Sequence, residues 1–400
     1  MSPVLAAALV VFCEGFVLWS VFPVLNYYCA ALGVSERYVL LWVGTLLFLQ
    51  SAPRIVFSPL FGRLSDRFGR GRMMAVASFG TMLGSVLFAL AGNVWWLVAS
   101  RLLAGVFGAQ ATLSAALVAD ATPPERRAGA MGVLGAAFGL SMVLGPLVAG
   151  LLAYAYSHSA IGWAAAGIQA MSVLTALLLI MPREPASHAA QAAPRKSWGE
   201  LLRLPGVGLL LAAALVMTIA QLQALSTFAE FARNVYAFTE RANGYAFALL
   251  GVVGILTQGG LVRTLAPRMG DRNLGVLGLG LLVIGGVLLA LAPPLPVLIA
   301  AVALLGAGGA LSMPALSALA AGCVDSRDQG AMQGALQGVF SLGRSIGSPV
   351  AGALVTWLGF GAPYALAAGL ALLGAAFLLG LQAARRTASH AKSGVEAVDV

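Results

Sequence analysis

Charge is what this sequence has least of. Of its 400 residues 9% are charged, while 60% are hydrophobic. A soluble core of that size would need far more charged surface to cover it, so a soluble globular protein is excluded. Cysteine is also scarce. Cys13, Cys29 and Cys323 are too few and too scattered for a disulfide framework or a metal site. The three histidines, His158, His188 and His390, all fall in expected loops or tails. With no nucleophile or metal constellation, neither enzyme chemistry nor a cofactor is expected. No soluble domain is visible that would suit a sensor.

What is abundant is apolar sequence in runs of roughly 20 residues, the length that crosses a bilayer as a helix. Spans are expected near 4–27, 38–61, 73–92, 94–119, 129–153, 160–181, 206–230, 242–264, 274–292, 296–321, 330–356 and 362–383. The expected fold class is an all-α membrane protein of about twelve transmembrane helices. The first span is not expected to be a cleaved signal peptide: it lacks a basic start, and its apolar run continues through Pro23 to Tyr28. Of 23 Lys and Arg, Arg37, Arg233 and Arg241 fall in one set of loops, and Arg54, Arg101 and Arg344 fall inside spans. The remainder lie on the other side, which the positive-inside bias assigns to the cytoplasm together with both termini. The net charge of +9 is therefore topology, not a sign of nucleic acid.

The polar stretch 182–205 splits the spans six and six. Its Pro, Ala and Ser content reads as a cytoplasmic linker. Within it, Lys196 through Leu204 forms either a short amphipathic helix on the membrane face or a solvated connector. The expected layout is a bundle over 1–181, the linker, a second bundle over 206–383, and a cytoplasmic tail over 384–400. The halves echo each other. Asp120 followed by Gly129-Ala130-Met131-Gly132 matches Asp325 followed by Gly330-Ala331-Met332-Gln333-Gly334. Gly145-Pro146 with Gly150 matches Gly347-Ser348-Pro349 with Gly352, and Gly62 to Arg72 is echoed weakly by 260–272. Two pseudo-symmetric bundles with such a linker are the layout of a transporter that rocks about a central site.

An ionisable group in mid-bilayer is costly unless paired or wetted, so each one is a functional candidate. Of 14 acids only Glu14 is deep, which makes it the candidate for binding the proton or the substrate, with a permanent salt bridge as the alternative. Arg54 is its natural partner, flanked by Gln50 and Ser58 at i−4 and i+4. Two roles are open to Arg54: tuning Glu14, or binding an anionic group of the substrate. Arg344 is the second deep cation, on one face with Gln333, Gln337, Ser341 and Ser348. Gln110, Gln223 and Gln258 are further cavity-lining candidates, with helix-to-helix bonding as the alternative. Glu230 is expected to pair with Arg233 at i+3.

The densest charge lies in Gly62-Arg63-Leu64-Ser65-Asp66-Arg67-Phe68-Gly69-Arg70-Gly71-Arg72, read as a tight loop joining the second and third spans. Asp66, Arg67 and Arg70, with Asp120 and either Arg70 or Arg127, suit a conformational latch at helix ends. Gly139, Gly145, Pro146 and Gly150 suit a kinked, closely packed fifth span.

These residues resemble the major facilitator superfamily. Gly62 to Arg72 is similar to its loop between helices 2 and 3. Arg101, Gly105 and Gly108 resemble its helix-4 motif, and Gly145, Pro146 and Gly150 its helix-5 motif of proton-linked antiporters. Within it the chain looks like the tetracycline/proton antiporter branch, in Arg101-Leu-Leu-Ala-Gly, in Phe138-Gly-Leu, in Met313-Pro-Ala-Leu, and in Glu14, which stands where that branch carries an Asp. It departs from the branch at Arg54 (there Gln), Thr257 (there His) and Leu282 (there Asp), which argues against tetracycline itself as the substrate. The resemblance implies the major facilitator fold and a part for Arg101 in proton coupling. It implies a monomer in the bacterial inner membrane that exports small organic molecules or drugs against protons by alternating access. An exporter of one endogenous metabolite, an anion such as a siderophore, is the alternative suggested by Arg54 and Arg344. Proton-linked uptake is the remaining one, and the helix-5 motif argues against it. The expected partners are a small-molecule substrate, protons and the lipid bilayer.

Overall fold

Hydrocarbon offers no partner to a backbone N–H or C=O, so a chain this apolar must satisfy its amides within each segment. The computed structural model describes residues 2–181, 198–325 and 328–396, and among these every regular element is helical. The helices are α1 (Pro3–Ser20), α2 (Leu25–Ala31), α3 (Val39–Phe68), α4 (Arg70–Ala89), α5 (Val94–Val106), α6 (Gln110–Ala121), α7 (Pro124–Ala155), α8 (His158–Thr175), α9 (Trp198–Leu202), α10 (Val207–Tyr236), α11 (Glu240–Leu256), α12 (Val262–Ala290), α13 (Leu295–Ala321), α14 (Gln329–Leu358) and α15 (Gly361–Glu396). Ten helical stretches are long and apolar enough to cross a membrane. One of them, Glu240–Ala290, covers two passages that turn at Gly270 (φ +74°). With the 30-residue α14 the described residues account for the twelve expected passages.

Four boundaries differ from the sequence expectation. The first span breaks at Val21–Val24, where Pro23 cannot continue the ladder, and α2 resumes beyond it. The charged run at 62–72 is not a loop. Helix α3 continues to Phe68 and α4 starts at Arg70, so the turn is Gly69 alone, whose φ of +100° suits glycine. The fourth span is interrupted at Phe107–Ala109, between α5 and α6. Helix α15 runs on through Glu396, into the expected tail. Most of the expected linker, residues 182–197, and residues 397–400 lie outside the described residues.

The chain divides into two compact units. Unit 1 takes residues 1–191, 225–255 and 348–359; unit 2 takes 192–224, 256–347 and 360–400. The first six spans thus share a unit with parts of α10, α11 and α14. Unit 1 has apolar cores around Val10, Met74, Leu113 and Val118, and around Leu25, Val43, Leu46 and Leu97. Unit 2 is centred on Leu210, Met217, Leu279, Leu336 and Phe340.

Small residues set the closest crossings in unit 1. A Cβ on Gly44 of α3 would lie 2.6 Å from the Ser348 carbonyl oxygen of α14, and one on Gly150 of α7 would lie 2.8 Å from Gly244 Cα of α11. Both pairs are backbone against backbone, the packing that glycine permits between membrane helices.

Candidate functional site

Glu14 is 5% exposed on α1. Its Oε1 lies 3.1 Å from Arg54 Nη2 of α3. Its Oε2 accepts a hydrogen bond of 2.5 Å from the Ala111 backbone N–H. The break before α6 accounts for that second bond. A helix start leaves its first N–H groups without intrahelical partners and carries the positive end of the helix dipole. A carboxylate from α1 occupies that position, so a guanidinium and a half-helix terminus both face Glu14.

The break also makes room for Arg54. A Cβ on Gly108 would lie 2.2 Å from Arg54 Nη2 and 2.6 Å from the Ala104 carbonyl oxygen. Gly108→Ala is therefore expected to displace the guanidinium and cost about 1–3 kcal/mol as an overpacking change. A thermal unfolding midpoint reads this. The loss should be smaller when Gly108→Ala is made in an Arg54→Ala background, and equal losses in both would refute the role given to Gly108.

Gln50 and Arg101 extend the polar line. Gln50, one helical turn before Arg54, is 3% exposed and accepts from Arg101 Nη1 at 3.3 Å. Arg101, 2% exposed on α5, also donates to Ser100 Oγ at 3.0 Å and lies 5.0 Å over the Phe88 ring. A desolvated cation over an aromatic face gains on the order of 2 kcal/mol. Gln110, the first residue of α6, is fully buried and donates to Thr81 Oγ1 of α4 at 2.8 Å. Of the expected site residues in unit 1, Glu14 pairs with Arg54 and Gln50 with Arg101, while Gln110 bonds Thr81.

The others lie in unit 2. Gln223 is buried and donates to the Gly347 carbonyl oxygen of α14 at 2.9 Å, a bond between helices. Arg344 is half-buried and donates to Ser341 Oγ at 3.2 Å, while Gln258 and Gln337 are exposed. Gln333 donates to the Ser317 carbonyl oxygen.

At the Gly69 turn, Arg70 gathers the charges. It lies 2.6 Å from Asp66 and 3.1 Å from Asp120, and its Nη1 donates to Ser65 Oγ and, at 3.4 Å, to the Gly62 carbonyl oxygen. It thereby ties α3, α4 and α6 together. Arg127 instead donates to the Thr122 carbonyl oxygen at 3.0 Å, and Arg67 packs over Phe68. A Cβ on Gly145 of α7 would meet the Phe16 carbonyl oxygen of α1 at 3.0 Å, and the Pro146 carbonyl oxygen lies against Gly244.

Sequence reasoning missed the backbone donor at Ala111 and the gap at Gly108. The only local signal for them was the Gly105 and Gly108 pair interrupting an apolar run. It also missed Asn26 as a partner of Glu230, 204 positions away in the chain.

A family model described as Major Facilitator Superfamily matches residues 7–295 and 261–398. The class G tetracycline resistance protein of Vibrio anguillarum is 30% identical over 373 residues, 92% of each chain. The class H protein of Pasteurella multocida is 28% identical over 322 residues, 78% of this chain and 79% of that protein. Two solved structures share the fold. The human organic anion transporter MFSD10 superposes with a TM-score of 0.70 at 22% identity, over 94% of this chain and 98% of that one. A bacterial homologue of the human lysosomal transporter Spinster, inward-facing and occupied, gives 0.76 at 16% identity, over 96% and 98%.

Proposed function

Because this chain belongs to the major facilitator superfamily, we propose that it exports small organic molecules in exchange for protons, by alternating access. The observation that carries this reading is Glu14, a carboxylate buried in a membrane-spanning helix and held by Arg54 and the start of α6. Protonated, Glu14 no longer balances the guanidinium, and Arg54 is free to take another acceptor. A proton and a substrate that compete for this pair are thereby exchanged. Gln50, one helical turn before Arg54 on α3, accepts from Arg101, which supports a part for Arg101 in the electrostatics of this helix face. Gln110 belongs to the same site. Arg344, Gln258 and Gln337 are the substrate-contact candidates of the second half, and Gln223 positions α14. Arg70, with Asp66 and Asp120, acts as the latch at the Gly69 turn, which we assign with both termini to the cytoplasmic side of a bacterial inner membrane. The working unit is a monomer.

A second reading, export of an anionic metabolite, is favoured by one feature. The Arg54 side chain keeps 17% exposure while that of Glu14 has 6%, so a free edge of the guanidinium remains to meet an anion.

Purified full-length protein in proteoliposomes tests both. Under an imposed proton gradient, substrate movement and proton movement are followed for one cationic and one anionic organic probe. Coupled movement in opposite directions is expected. Substrate movement indifferent to the gradient refutes antiport, and coupling with the anionic probe alone selects the second reading.

A further inference from the structure

A second buried carboxylate lies in unit 1, away from Glu14. Glu230 of α10 is 5% exposed. Its Oε2 accepts from Asn26 Nδ2 of α2 at 2.6 Å, and its Oε1 accepts from Asn234 Nδ2 at 2.8 Å. Arg233 Nη1 lies 3.6 Å away, and Arg233 also reaches Glu36 at 3.7 Å and covers the Tyr27 ring. Beside it, Tyr27 Oη donates to the Phe238 carbonyl oxygen and accepts from Asn243 Nδ2. These bonds fasten the far end of the first span, beyond its break, to α10 and the start of α11.

The charged and titratable groups facing Glu230 are Arg233 on its own helix, and Tyr27 and Cys29 from the first span. Glu36 meets it through Arg233, and Glu240 lies beyond Tyr27. Arg233 is the sole cation among these groups. The clamp is therefore built around an ionised acceptor: two amides and a guanidinium all point at it. Charge-assisted bonds of this kind are about twice as strong as neutral ones. Protonated at Oε2, the acid presents an O–H to the Asn26 amide hydrogens and no longer attracts Arg233.

We propose that Glu230 is a second proton-binding carboxylate of the transport cycle, ionised while this clamp is shut and protonated from the adjoining water as it opens. The proposal rests on the antiporter reading for its place in a cycle, but not for its structural content. With Glu14 it gives the protein two carboxylates, one at the substrate site and one at the clamp.

Paired spin labels at Ala31 of α2 and Val235 of α10, both exposed, report the opening in full-length protein with Cys13, Cys29 and Cys323 replaced by alanine. Wild type should show a short distance at neutral pH and a growing long-distance population in acid. Glu230→Gln should show the long distance at both pH values, and so should Asn26→Ala, which keeps the carboxylate but removes its donor. In Glu14→Gln the acid response should persist. The proposal is overturned if Glu230→Gln keeps the short distance with a wild-type acid response, or if Glu14→Gln alone abolishes that response. Absence of proton-coupled transport alongside the expected distances would instead remove the antiporter reading and leave the clamp standing.

Discussion

Glu14→Gln is expected to abolish gradient-driven export while substrate exchange persists. The amide keeps the size of the carboxylate and can still accept from the Ala111 N–H. It cannot carry a charge, so nothing at this position distinguishes a loaded from an empty proton site. Arg54 also loses its counter-charge. Removing one member of a buried pair costs about 3–5 kcal/mol, and the partial exposure of Arg54 places this case at the low end, about 3 kcal/mol. The measurements are proton-driven flux, counterflow exchange and the thermal midpoint in the same preparation. Full coupling in the variant would make Glu14 a structural residue and transfer the burden of explanation to Arg54 and Arg101. Restoration of stability but not of coupling in Glu14→Gln/Arg54→Gln would separate the two effects, because the double variant leaves no unbalanced charge.

Gly150→Val is expected to have the largest structural effect. A Cβ there would lie 2.5 Å from the Glu240 carbonyl oxygen and 2.8 Å from Gly244 Cα. Those atoms are backbone of α11 and its start, so no rotamer change relieves the contact, unlike the Gly108 case, where a flexible side chain is the first atom met. The helices must separate. Overpacking costs about 1–3 kcal/mol, with valine at the upper end because its branch stiffens χ1. The same crossing lies near the His158–Glu240 pair, 3.5 Å apart, so the far end of unit 1 should loosen as well. A lower thermal midpoint together with reduced transport is the expected pair of results. A wild-type midpoint would show that α7 and α11 do not pack this closely in the bilayer.

How much of this was legible in advance follows from which forces act locally. The membrane class and the twelve passages were readable because the cost of placing backbone and charge in hydrocarbon is collected residue by residue along the chain. The same argument picked out Glu14 and Arg54 as a pair before any geometry was available, since two deep opposite charges are cheaper together than apart. The glycines at 145 and 150 were legible as contact points, but not what they contact.

The remaining features belong to the tertiary structure. Sequence alone did not show that α6 starts where it does, because an apolar run with two glycines reads as one continuous span. The break becomes visible only when a carboxylate from α1 takes the freed N–H of Ala111 and Gly108 yields space to Arg54. Nor did it give Glu230 its partners: the i+3 spacing pointed to Arg233, which lies 3.6 Å away, while the shortest bond is made by Asn26 from another span. The charged run at 62–72 was expected to be a loop because charge was read as exposure, whereas helix propensity and the Arg70 bonds keep it helical up to Gly69. Sequence thus determined which groups must be buried and paired, because burial cost is a property of each residue. The choice of partner was left to the fold, because partners distant in the chain are selected by helix packing and by the space that glycine leaves.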